Sequence, residues 1–207
     1  MMGCDEKVAK YFTFHFWARE DGVFLPSSYY SMVYEVLKSL LATEQFTISP
    51  IKTKNKKEVE DGVWVFEDFR IYLTTPFLEL VTQNILKIYE SLNGLFEGIY
   101  LKKISCKGQQ PKSSGILLSG VFAQKDGVCL EYDRQPEIFS DVLRRQLLNI
   151  YYQRFGVYPE DQRFFFVIKD GLKKQHLIKS RIEYFGRYEI FASSHLLDMF
   201  CQMFCVK

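Results

Sequence analysis

From Val8 to Trp17 the chain alternates between two faces. Phe12, Phe14 and Phe16 share one side; Tyr11, Thr13, His15 and Trp17 share the other. A period of two belongs to a strand with one apolar face. After a turn bracketed by Gly22 and Pro26 the period lengthens. Tyr30, Val33, Tyr34, Leu37 and Leu41 recur every three or four residues, which predicts a helix to about Leu41 with Ser27 and Ser28 as candidate caps. Phe46 to Ile51 reads as a short strand running into the basic residues Lys52, Lys54, Lys56 and Lys57. Trp64–Phe66 and Phe69–Leu73 read as a hairpin or one bent strand. A second helix starts at Pro76, continues to about Ser91 and stops at Gly94, and Phe96 to Cys106 is a further strand.

Lys107 to Ser114 is polar, with Gly, Pro and Ser, and is the best candidate linker. Beyond it the order begins again. Gly115–Ala123 and Cys129–Tyr132 are strands around the Lys125–Gly127 turn. Pro136 to Phe155 reads as one helix. Pro136 suits its first turn, where a missing N–H has no partner to lose; Phe139, Leu143, Leu147, Ile150 and Tyr151 share a face; Gly156 ends it. Arg163 to Lys169 is a strand. His176–Tyr184 and Tyr188–Phe191 form a hairpin turning near Gly186, and Ser194 caps a last apolar helix. The order strand, helix, strand, strand, helix, strand is that of a ferredoxin-like βαββαβ unit. The pattern therefore predicts an α+β chain of two such units in tandem, residues 1–107 and 115–207, the second incomplete at its C-terminus for want of a last strand.

A chain of 207 residues, 47% hydrophobic, has room for one large domain or two of about 100 residues each. Aromatic residues make up 16%, which fits a strand-rich core, with exposed stacking platforms as the alternative use. The net charge of +2 gives no global field, so anion binding would have to be local. Arg163 to Arg187 supplies it: seven basic residues against two acidic ones make +5, leaving −3 for the rest of the chain. Five cysteines form no CxxC pair. Cys201 and Cys205, with His195 as the one nearby histidine, fall short of a zinc ligand set, so neither metal nor cofactor is expected. Reduced thiols fit a cytoplasmic protein, and no apolar run approaches the ~20 residues of a membrane span.

Certain residues narrow the field. Leu25-Pro26, Tyr29-Tyr30 and Val33-Tyr34 resemble the start of the first helix in the CRISPR repeat-processing endoribonucleases, the sixth CRISPR-associated protein family, of the RAMP superfamily. Phe139 to Pro159, with Leu143, Arg144, Leu147, Leu148, Tyr151, Gly156 and Pro159, is similar to that family's second-half helix and the turn after it. Ile182 to Ile190 is similar to its hairpin. The resemblance implies metal-independent cleavage of CRISPR repeat RNA, in which the ribose 2′-OH attacks the adjacent phosphorus and leaves a 2′,3′-cyclic phosphate. That reaction needs a base at the 2′-OH, an acid at the leaving oxygen and positive charge at the phosphate. Many members carry a histidine shortly after the first helix; Leu40 to Lys57 contains none. Members also carry a glycine-rich loop and a closing strand after the last helix, and Lys207 falls about where that loop would begin.

The resemblance nominates residues. Tyr34, eight residues after Pro26, matches the family's first-helix tyrosine, and Tyr30 one turn earlier shares its face as an RNA contact. Lys52 and Lys54 stand where a phosphate clamp or acid would replace the histidine, and His15 is a substitute base. Lys173, Lys174, His176, Lys179, Arg181, Tyr184 and Arg187, in the basic segment, are the expected RNA-binding residues, because in the family a hairpin of the second unit grips the repeat stem. The implied partner is CRISPR repeat RNA, with other CRISPR effector subunits as further partners. Two other readings stay open: a non-catalytic repeat-RNA-binding relative, and a ferredoxin-like protein-interaction module with no RNA role. A salt-dependent RNA affinity separates the last from the others.

Overall fold

The computed structural model describes residues 9–170, 181–204 and 206–207, and the backbone of 173–178. The first half contains β1 (Ala9–Ala18), β2 (Val23–Pro26), α1 (Tyr29–Leu41), β3 (Thr47–Ile48), β4 (Lys56–Val59), β5 (Gly62–Val65), β6 (Asp68–Thr74), α2 (Leu78–Gln83), α3 (Ile85–Asn93) and β7 (Ile99–Gln109). Its main sheet has the antiparallel order β3-β6-β1-β7. The alternation of β1 decides what lies behind it. Phe12, Phe14 and Phe16 are buried with Phe69, Ile71, Leu73, Ile99 and Leu101 beneath the apolar stripes of α1 and α3. Phe16 and Phe69, paired across the strands, stack with ring centroids 5.0 Å apart. A small second sheet, β2-β5-β4, joins the strand before α1 to a hairpin inserted between β3 and β6.

The second helix expected of this half is two helices, broken at Asn84. The Asn84 side chain donates to Leu80 O at 2.9 Å, the same carbonyl its own N–H reaches at 3.2 Å. Such local bonding by an asparagine competes with the helical ladder. Strand β7 runs on to Gln109, so the expected linker begins as strand and the halves are joined by residues 110–113.

The second half contains β8 (Ser114–Ile116), β9 (Gln124–Lys125), β10 (Val128–Cys129), α4 (Pro136–Phe155), β11 (Phe164–Ile168), β12 (Lys173–Ile178), β13 (Arg181–Phe185), β14 (Arg187–Ala192) and α5 (Ser194–Met203). Helix α4 has the bounds its sequence predicts, with Gly156 left-handed at φ 74°. One expectation is corrected. The hairpin pairs β12 with β13, not β13 with β14. Gly186, at φ 141°, turns the chain so that β14 leaves its neighbour and joins the sheet β11-β14-β8. As expected from the sequence, no strand follows α5 among the described residues, but the last two residues join the second half. Val206 bridges to Leu117, and Ile116 and Lys207 exchange both backbone hydrogen bonds at 2.9 Å. Gly115 permits this approach, because a Cβ there would lie 2.4 Å from Lys207 O.

The halves are tied at one end of the first sheet. Thr74 donates to Met203 O at 2.9 Å, and Gln109 Nε2 to Cys201 O at 2.8 Å. Gln109 Oε1 accepts from Val206 N at 3.2 Å, so the end of β7 holds the end of the chain. Among the described residues no helix is long and apolar enough to cross a membrane.

Candidate active site

Helix α1 presents three tyrosines to the second half, and they meet different surroundings. Tyr30 and Tyr34 belong to its buried stripe. The Tyr30 hydroxyl lies 2.9 Å from Ile48 O and 3.0 Å from Glu183 Oε2. It has one proton for two acceptors. A protonated Glu183 resolves the conflict by donating to Tyr30, which then donates to Ile48 O. Burial pushes the Glu183 carboxyl up to about 7, against the pull of Arg181, so both of its forms are populated at neutral pH. Gly120 makes room for this carboxylate: a Cβ there would sit 2.4 Å from Glu183 Oε2.

Arg181 completes the buried cluster. Its guanidinium lies 3.7 Å from the Phe122 ring centroid and 4.9 Å from that of Tyr34, and Nη2 donates to Tyr34 Oη at 3.3 Å. Tyr34 in turn stacks on Phe46, centroids 4.7 Å apart. Arg181 Nη1 and Glu183 Oε1 are 3.6 Å apart, and neither has a hydrogen-bond partner among the described residues. Arg181, expected as an RNA contact, is 7% exposed and lines a hollow of about 340 Å³ with Gln45, Phe122 and Gln146 rather than standing out on a surface. Tyr184 is likewise internal. It donates to Asp133 Oδ1 at 2.9 Å and accepts from Tyr132 N at 3.0 Å, in the core of the second half.

A wider opening lies on the Tyr29 side of this cluster. A cleft of about 710 Å³ separates the halves; it is lined by Tyr29, Lys52, Lys56, Glu58, Phe185 and Gly186, among others. Tyr29 is the residue that the sequence reading passed over. It opens α1, on the half-exposed edge of the apolar stripe. Its Oη accepts from Ile51 N at 3.3 Å, which leaves the phenol proton for a ligand. Burial raises its pKa, the bond from Ile51 N opposes this, and Glu58 raises it further; Tyr29 is a hydrogen-bond donor or acid rather than a base at neutral pH. Lys56 Nζ holds Glu58 Oε1 at 2.5 Å on the same wall. A signal for Tyr29 existed: a helix-start tyrosine flanking a buried stripe, at the end where backbone N–H groups point outward.

Of the residues nominated by sequence, Lys52 lines the cleft and Lys54 lies exposed on the turn after it. His15 is on the far face of the main sheet, yet not remote. Lys103, His15, Arg70 and Lys52 pair in turn across β7, β1, β6 and the segment beside it. His15 and Lys52 are thus two strand spacings apart, about 10 Å. Arg187 is exposed on β14. The side chains of Lys173, Lys174 and His176 and the whole of Lys179 lie outside the described residues. Among the described residues no group of three or more His, Cys, Asp or Glu side chains is placed to hold a metal ion.

No family model and no curated protein matches the sequence. Solved structures do. One, "Characterization of a Cas6-related gene from Pyrococcus furiosus", superposes with a TM-score of 0.70 at 19% identity, over 93% of this chain and 91% of that one. "CRISPR associated protein Cas6" gives 0.68 at 14% identity, over 94% and 93%. The chain has the fold of these proteins. A third, "An RAMP protein binding different RNA substrates", gives 0.68 at 17% identity over 90% of each chain. At such identities the likeness concerns the fold, an α+β arrangement shared from end to end.

Proposed function

We propose that this chain binds CRISPR repeat RNA and cuts it, without metal, by attack of a ribose 2′-OH on the adjacent phosphorus. It would do so as two ferredoxin-like units, about 1–107 and 115–207, with the RNA between them, in the cytoplasm. The observation that carries the reading is the cleft where Tyr29 and Lys52 line one wall and the second half supplies the other. The Cas6-like fold supports it. Lys52 sets positive charge against the scissile phosphate, the 2′-OH proton passes to solvent as the new P–O bond forms, and Tyr29 gives its proton to the leaving 5′ oxygen as the old bond breaks, to be reprotonated from solvent. The RNA brings its own nucleophile, so alignment by the two walls contributes much of the rate. Other CRISPR effector subunits are candidate partners of the same assembly.

The test is a cleavage assay in EDTA with the repeat RNA of the protein's own CRISPR array, beside the same RNA carrying a 2′-deoxy residue at the cut. One cut, unaffected by EDTA and abolished by the deoxy residue, is the expected result. Salt-dependent binding with no cut would replace the enzyme by a non-catalytic RNA-binding relative. Absence of binding would remove the RNA reading altogether.

A further inference from the structure

Helices α1 and α3 cover one face of the main sheet; α5 meets the other face at its Thr74 and Gln109 end, and the rest of that face carries residues of a different kind. Tyr11, His15 and Trp17 of β1, Arg70 and Tyr72 of β6, and Tyr100, Lys103 and Lys107 of β7 are only partly buried or exposed there. The rings form two cross-strand pairs. Tyr11 meets Tyr72 edge-on at 5.6 Å, and Trp17 stacks with Tyr100 at 5.9 Å, Tyr100 being 51% exposed. Tyr11 and Trp17 are six positions apart along β1, a span of about 20 Å. Between the pairs runs the row Lys103, His15, Arg70, Lys52, whose members share a face because paired residues do. The three long strands hold five basic residues, Lys10, Arg70, Lys102, Lys103 and Lys107, against one acid, Asp68, which Lys102 engages at 3.1 Å. The charge is felt locally: burial first, then Arg70, Lys103 and Lys107, hold the His15 imidazole below its usual pKa.

A sheet that served only the core would carry small polar residues on its outer face. This one has small polar residues at Thr13 and Ser105, but it also presents flat rings on either side of a basic row, with no aliphatic side chain between them. Rings and cations together match single-stranded nucleic acid, whose bases stack and whose phosphates are held. We propose that this face is a stacking platform for about two or three unpaired nucleotides of RNA, whose strand continues past Lys52 into the cleft. The proposal rests on the RNA reading above and adds a subsite to it.

The chain has two tryptophans, Trp17 and Trp64. Trp64 lies on β5 against Phe24, so Trp64→Phe keeps a ring there and makes Trp17 the sole reporter. The full chain carrying this change is titrated with fluorescein-labelled single-stranded repeat RNA and with a blunt duplex of equal length, following RNA anisotropy and Trp17 emission together. The expected result is quenching of Trp17 that tracks single-strand binding and is absent with duplex. Arg70→Ala with Lys103→Ala should weaken single-strand binding by about tenfold and flatten its salt dependence. Binding with Trp17 emission unchanged would overturn the platform and leave the RNA reading intact. Absence of binding by either RNA would overturn both.

Discussion

Two polar groups of residues lie between the halves of this molecule, and they are built on opposite terms. In the buried one, Tyr30, Tyr34, Arg181 and Glu183 close on one another and on Phe122 and Ile48. In the cleft, Tyr29 and Lys52 line open space. Tyr29 and Tyr30 are consecutive residues on one helix. A step of about 100° around the axis separates a fastening from a candidate catalytic group. The polar groups on the helix stripe are therefore partnered within the protein, and those at its edge face open space.

The comparison breaks most visibly at Arg181. Arg181→Ala leaves Glu183 buried without its cation and should cost about 3–5 kcal/mol, read as a lower urea midpoint. Lys52→Ala should do the reverse: a midpoint within about 0.5 kcal/mol of the parent and cleavage slowed about 100-fold through loss of charge at the phosphate. Tyr29→Phe should slow cleavage about tenfold in single-turnover assays, with a small stability loss because Ile51 N loses its acceptor.

Acidity sharpens the contrast further. The Glu183 carboxyl titrates near 7 in the folded chain, above its ordinary value of 4.5. The folded state thus holds a proton that the unfolded state releases first. Stability from this group is full below about pH 4.5, falls as pH rises, and levels off above about 7. Urea midpoints between pH 5 and 8 should show that decline, and Glu183→Gln should flatten it. Smallest of all, Tyr34→Phe removes one 3.3 Å bond from Arg181 and should cost about 1 kcal/mol of stability with no change in cleavage.

Much of the framework could be read from periodicity. The Phe12–Phe14–Phe16 face, the α1 stripe, and α4 from Pro136 to the left-handed Gly156 all follow from local spacing. What escaped depended on pairing between distant segments. Nothing local says that β13 pairs with β12 while β14 joins β11, or that Val206 reaches Leu117. The break at Asn84 escaped because the apolar spacing continues through it. The site was legible in part. Lys52 was nominated from its place after the first helix and lines the cleft, whereas Tyr34, nominated from its place eight residues after Pro26, and Arg181, nominated from the hairpin of a basic segment, lie in the buried cluster. An arginine in a basic segment reads as a surface cation until the fold encloses it between Phe122 and Tyr34. Tyr29 went unnamed as a candidate because its neighbour carried the more regular spacing.

The most direct measurement sets Lys52→Ala beside Tyr34→Phe in single-turnover cleavage of the repeat RNA, with urea midpoints on the same preparations. The account predicts a cleft variant that is stable and about 100-fold slow, and a buried variant that is slightly less stable and fully active. A slow Tyr34→Phe beside an active Lys52→Ala would contradict it and move the chemistry from the cleft to the buried cluster.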